Sequence, residues 1–244
     1  MKIKREITVM VIILVLLSAV LYSLHYLIFK DLHHVLIFFL GDIAFLPVEI
    51  VFVSLIFHKI IEEREKKNTL RKINMLIGVF FSEIGNQLLA NMTKSDTNID
   101  AIKEKLIFNN HWGHRDFENA INILNGYNPD LEHIDLVFLR EFLGKHREFL
   151  LKIIENPTLL EHEFFSELMM SLFHLQEELI NRDDLYRLSE NDILHIKGDT
   201  VRVYEKLLLD WLIYMRHLKQ EYPYLFSFAI RTNPFDDQAK VEFD

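Results

Sequence analysis

The chain has 244 residues, half of them hydrophobic, with no cysteine and a formal net charge of −9. The missing cysteines exclude disulfides, thiolate zinc sites and thiol nucleophiles, and fit a reducing compartment. Seven glycines and five prolines favour long helices over a turn-rich β fold.

Ile7 to Phe29 is a first apolar run, preceded by Lys2, Lys4 and Arg5. The basic start fits a signal peptide. The run is too long for one, and no A-x-A-like site ends it. Lys30 to His34 reads as a short link. Val35 to Phe57 is a second apolar run of 23 residues. A bilayer core of ~30 Å needs ~20 apolar residues in a helix, so both runs are long enough to span. A short link makes them an antiparallel hairpin.

The second run carries Asp42, Pro47 and Glu49 near its middle. Seven residues is close to two turns, so both acids project from one face, about 10 Å apart along the axis. Pro47 has no N–H and frees the carbonyl of Ile43. A carboxyl at mid-bilayer costs roughly 2.5–3.5 kcal/mol on insertion scales, so it faces protein or a wet cavity. Counting rises places Tyr22 and Ser23 level with Asp42, and Ser18 near the level of Glu49. The spacing predicts a Tyr22–Asp42 hydrogen bond, within or between chains. Two readings stand side by side: protonated carboxyls that fasten helices together, or an oligomeric site that handles protons or cations.

Charge is unevenly placed. Residues 59–72 hold Lys59, Arg64, Lys66, Lys67, Arg71 and Lys72 against three glutamates, while the remainder, 73–244, carries −12. The basic collar suits anionic lipid headgroups, above all through Lys59, Arg64, Lys66 and Lys67. So acidic a remainder makes nucleic acid a poor partner. Basic residues at the N-terminus and after Phe57 place both termini in the cytoplasm by the positive-inside rule.

From 59 to 92 a helical stalk is expected, with the stripe Leu70, Ile73, Ile77, Phe80, Ile84 and Leu88 forming a wall of the following domain. Gly78 and Gly85 flank that stripe and allow close helix approach. Thr97 or Asn98 is expected to cap a short helix through Phe108. A helix from about Arg115 ends at Gly126. Asn128-Pro129 and Asn156-Pro157 both read as helix starts, cap followed by Pro at the first position. A kink is expected at Gly144. Thr158 to Asn181 places Leu160, Phe164, Leu168, Leu172, Leu175 and Leu179 on one face. Glu190 to Glu221 is a last long helix, with a break expected at Gly198. Pro223 and Pro234 bracket a short aromatic helix, and residues 236–244 form a polar tail.

Three side-chain groups invite chemistry. Glu163, Glu167, His174 and Glu178 fall within about 60° on a helical wheel, and carboxylate plus imidazole suits iron, manganese or zinc. A solvated polar face is the plainer reading. His111, His114, Asp116 and Glu118 lie in NNHWGHRDFE, where Trp112 is expected to plug the core. His195, Asp199 and His217 offer acid–base chemistry. No G-x-S-x-G, phosphate loop or G-x-G-x-x-G accompanies them, so no catalytic residues and no cofactor are assigned. The aromatic segment with Tyr222, Tyr224, Phe226, Phe228, Arg231 and Phe235 reads as a cap docked on the domain, with the membrane interface as the other placement.

The strings FLGDIAFLPVEIVFVSLI, MLIGVFFSEIGNQLL and YPYLFSFAIRTNPF resemble those of a family of prokaryotic membrane proteins with two N-terminal spans and a helical soluble region. The resemblance covers most of the chain. It implies that architecture and a prokaryotic origin, and carries over no catalytic residues.

The expectation is an all-α protein: a transmembrane hairpin over 1–58, a stalk over 59–92, an acidic helical bundle over 93–235 and a tail. It sits in the inner membrane as a homo-oligomer. Its expected role is to hold an unknown protein partner there, with an oligomeric proton or cation conductor as the alternative.

Overall fold

The computed structural model describes residues 2–242; side chains at 2–4, 160 and 161 lie outside the description, Leu160 of the expected stripe among them. Among the described residues the structure is helical, without a strand. The chain divides into two units, one ending at Glu65 and one beginning at Lys66.

The first unit holds α1 (Lys2–Phe29) and the start of α2 (Leu32–Phe80), within which the boundary falls. The link is only Lys30 and Asp31, shorter than the expected five residues. Lys30 closes it at φ 48°, and the Asp31 carboxylate accepts from the His34 amide at 3.2 Å, opening α2 early. The rings of His25, Phe29, His34 and Phe38 cluster beside the link, with His34 stacked on Phe38. Both helices are long and apolar enough to cross a membrane, with mean hydropathy of 2.7 and 2.3, and nothing in their most apolar windows is buried. Pro47 lies inside α2 without ending it.

The second unit has a closed core. The end of α2 brings Ile73, Ile77 and Phe80 into it; Leu70 stays outside, at 43% exposed. One wide π-helical turn, Phe81–Gly85, joins α2 to α3 (Asn86–Ser95). That turn buries the successive pair Phe80 and Phe81, which ordinary helical spacing splays by 100°. A Cβ at Gly85 would sit 2.5 Å from Phe81 Cδ1 and 2.9 Å from Phe80 Cε1, so this glycine makes room for its own neighbours. Only Gly78 faces another helix, at Tyr214.

Where a capped helix is expected after Thr97, two 3₁₀ turns occur, Ile99–Ala101 and Lys103–Leu106. The buried Asp96 organises this region. Its carboxylate accepts from the Asn98 and Asp130 amides at 3.1 and 3.0 Å and from the Tyr127 hydroxyl at 2.5 Å. Burial and this carboxylate together push the Tyr127 hydroxyl's pKa up.

α4 (His114–Asn125) ends at Gly126 as expected. Asn128-Pro129 starts no helix. Asp130, next in line, is committed elsewhere: its carboxylate takes Thr97 at 3.1 Å and Lys197 at 2.7 Å. α5 (Leu136–Lys145) begins later, capped by Asp135. The break before α6 (Arg147–Ile154) falls at His146, whose ring Nδ1 meets the Phe142 carbonyl at 2.8 Å; Gly144 lies inside α5. Asn156 does cap the next segment, but as a 3₁₀ turn, Pro157–Glu161.

α7 (Glu163–Ile180) restarts the register behind its own cap, His162, whose ring nitrogen accepts from Phe165 at 3.2 Å. Burial lowers the His162 pKa, which suits an accepting ring. In its first turn Phe165 is inside and Phe164 is 55% exposed, while Leu168, Leu172, Leu175 and Leu179 of the expected stripe are buried. Gln176, fully buried, ties α7 to the Leu143 carbonyl at 2.5 Å and to Arg147 at 3.0 Å. α8 (Glu190–Glu221) starts at Ser189 and runs unbroken through Gly198. It packs against α3, α4, α7 and α9 (Pro223–Arg231), which makes it the central helix of the unit. Trp211 lies at its heart, stacked on Phe108 and tilted against Phe235. The aromatic segment docks on the domain: Phe226 and Phe235 are buried, and the Asn233 side chain donates to the Leu106 carbonyl at 2.8 Å.

Asp210 of α8 is 4% exposed, and its Oδ2 has no hydrogen-bond partner among the described residues. Burial pushes its pKa up from 3.8 to about 7, against the pull of Lys206. Below pH 3.8 the carboxyl is neutral in both folded and unfolded chains, and its burial carries no charge penalty. Between there and about pH 7 the folded chain keeps a proton that the unfolded chain releases, so stability falls as pH rises. Asp210→Asn should therefore stabilise the full chain by ~2–4 kcal/mol at pH 8 and by little at pH 3.5. Chemical denaturation at the two pH values measures the difference, and an equal effect at both contradicts the burial argument.

Candidate functional site

Three places in the structure bear on function. The first is the hairpin. The Tyr22 hydroxyl donates to Asp42 Oδ2 at 2.6 Å, and its ring meets Phe39 edge-on. Ser23 turns to the Ala19 carbonyl instead, at 2.7 Å. Ser18 and Glu49 are exposed, and among the described residues neither side chain makes a hydrogen bond. Lys59, Arg64, Lys66 and Lys67 are exposed as well, and none is in an ion pair among the described residues.

The second is a cluster on α7 and α8, where the structure recombines two of the sequence groups. His174 and Glu178 come from α7, one turn apart; His195 and Asp199 come from α8, also one turn apart. His174 Nε2 lies 3.2 Å from Asp199 Oδ2 and 4.0 Å from Glu178 Oε1. His195 Nε2 lies 3.4 Å from the same Asp199 oxygen and 3.6 Å from Glu178 Oε2. Asp199 is 4% exposed; the two imidazoles are about half exposed. An arginine holds each carboxylate. Arg202 bonds Asp199 Oδ1 at 2.7 Å, and Arg182 bonds Glu178 Oε2 at 2.5 Å while also reaching Asp192 at 3.2 Å. The Arg182 guanidinium holds the Glu178 carboxyl below the usual range.

The other residues of those groups stay apart. Glu163 is exposed, and Glu167 is paired with Lys206. His217 meets Asn74 at 3.3 Å, and burial lowers its pKa. His114 pairs only with Glu118, at 3.3 Å on the surface, and Asp116 closes the start of α4 by accepting from the Gly113 amide at 2.7 Å. Trp112 is partly buried against Phe108 and Phe117.

The third is an open groove of about 620 Å³ in the second unit, which no sequence signal marked. The π-helical turn and the adjoining end of α2 form one wall, with Gly78, Val79 and Phe81; Tyr214, Leu218 and Phe228 of α8 and α9 form another. Its lining is mostly apolar, with Asn74, Ser82, Glu83, Asn86, His217 and Thr232 among its polar members. π-helical turns often mark functional segments.

Together these features define an all-helical protein of two parts, an apolar N-terminal hairpin and a C-terminal helical domain. Both parts match one family. Residues 2–61 match the N-terminal helical domain described for MJ1433, and residues 69–231 match the C-terminal helical domain of the uncharacterized protein MJ1433. The chain is 43% identical over 240 residues to uncharacterized protein MJ1433 of Methanocaldococcus jannaschii, covering 98% of this chain and 96% of that one. It belongs to the MJ1433 family. No solved structure matches it.

Tyr22→Phe removes the one hydroxyl that meets Asp42 and leaves a carboxyl without that donor. In detergent-solubilised full chain it should lower the unfolding midpoint. Denaturation followed by circular dichroism reads this, and an unchanged midpoint would show that the carboxyl has another partner.

Proposed function

We propose that this chain is a membrane-anchored interaction module, held by two spans and working through its helical domain. The observation that carries the anchor is the lack of cover. The most apolar windows of α1 and α2 have no buried residue, whereas the second unit closes its own core. Burying apolar surface is worth roughly 25 cal/mol per Å², so two bare apolar helices belong in lipid. The basic residues in the first turns of α1 and after Phe57 support a cytoplasmic placement for both termini and an inner-membrane location. Lys59, Arg64, Lys66 and Lys67 are exposed and available to anionic headgroups. The open apolar groove supports a contact role for the domain.

A second reading, an oligomeric proton or cation conductor, is supported by Glu49. This exposed carboxyl sits on an apolar helix two turns from Asp42, and in lipid it needs a partner or a wet cavity. Asp42 itself is satisfied by Tyr22, which favours fastening over transport at that position.

Liposomes reconstituted with the full chain separate the two. The module reading expects no proton or cation flux above empty liposomes, for wild type and for Asp42→Asn with Glu49→Gln alike. A flux present in wild type and lost in that double variant replaces it with the conductor.

A further inference from the structure

We propose that His174, Glu178, His195 and Asp199 form a binding site for one divalent first-row transition-metal ion, which bridges α7 and α8. This inference stands on the second unit alone and does not depend on the module reading. The donor set is two imidazoles and two carboxylates without a thiolate, which suits zinc, iron or manganese.

Spacing is the first argument. Donor atoms around one tetrahedral ion, each ~2.0–2.1 Å from it, lie about 3.3 Å from one another. Asp199 Oδ2 lies 3.2 and 3.4 Å from the two imidazole Nε2 atoms, and Glu178 Oε2 lies 3.6 Å from that of His195. One donor atom each from His174, Glu178 and His195 falls within a common 4.8 Å.

The second argument is independent of spacing. Asp199 Oδ2 is buried and has no hydrogen-bond partner among the described residues, although two imidazole nitrogens stand beside it. Neither nitrogen is aligned to donate to it. A buried carboxylate oxygen left this way is costly, and a shared cation answers the cost. The carboxylate is also aimed. Arg202 takes the other oxygen, so Oδ2 is turned toward the histidines. Arg182 fixes Glu178 through Oε2, the oxygen nearer His195, and leaves Oε1 facing His174 at 4.0 Å. Such outer partners orient metal ligands in general.

The probe is Zn²⁺ alone. Untagged full chain in mild detergent is stripped with chelator, dialysed and titrated calorimetrically. The expected result is one ion per chain, with affinity reduced more than about 100-fold in His174→Gln/His195→Gln. The histidines are half exposed, so this variant is expected to fold, and circular dichroism checks that it has. As a second measurement, Zn²⁺ should raise the thermal midpoint of wild type and leave that of Asp199→Asn unmoved. Glu163→Gln, on the same helix but outside the cluster, should bind as wild type does. Saturable binding that is equal in wild type and the double histidine variant overturns the proposal, as does no saturable binding by wild type.

Discussion

An apolar side chain gains free energy only when something covers it, and the two units of this chain meet that requirement in different ways. From Lys66 onward the chain covers itself. Ile73, Phe80, Leu88, Phe165, Leu172, Tyr204 and Trp211 all reach 1% exposure or less. In α1 and the first half of α2 nothing covers Leu16, Leu27, Leu40 or Phe52, each about 60% exposed or more. The proposed bilayer supplies the missing cover. The hairpin's polar chemistry follows from the same constraint, because in hydrocarbon a carboxyl such as Asp42 has few alternatives to the Tyr22 hydroxyl.

Within the second unit, buried polar groups determine how helices are cut and joined. Asp96 satisfies two backbone amides and a tyrosine across some thirty residues of chain, holding the region around Asn128 out of helix. Gln176 ties α7 to the end of α5 and the start of α6. Asp199 draws two histidines around one oxygen. Asp210 has no hydrogen-bond partner for its Oδ2 among the described residues, and burial raises its pKa. Three of these four groups lie on α7 and α8, the closest-packed pair of helices in the domain.

Much of the architecture was legible because hydrophobic period and length carry it. The two apolar runs, the buried stripe from Ile73 to Leu88, the amphipathic faces of α7 and α8 and the docked aromatic segment all follow from spacing. What was not legible turned on tertiary competition. Asn128-Pro129 has the chemistry of a helix start, but Asp130 is held by Thr97 and Lys197, and Asp135 caps instead. Phe164 and Phe165 are equally apolar neighbours in the first turn of α7, and only the packing behind the His162 cap decides that Phe165 is the buried one. The cluster was half visible. Each of its histidines precedes a carboxylate by four residues, but the two pairs lie in separate helices. His174 lies six residues before the end of α7 and His195 five after the start of α8, so an antiparallel pair places them level. Counting from the loop at 181–189 is the signal that was available. The π-helical turn and its groove left no comparable trace, since no simple pattern in FFSEIG marks a widened turn.

The central claim is that lipid, and not protein, covers α1 and the first half of α2. Alkaline carbonate extraction followed by flotation tests it most directly, using membranes from cells that express the full chain. The account predicts that the protein stays with the membranes and floats with them after extraction, as integral proteins do. Recovery of folded protein in the carbonate supernatant would contradict it and would require another cover for the two helices.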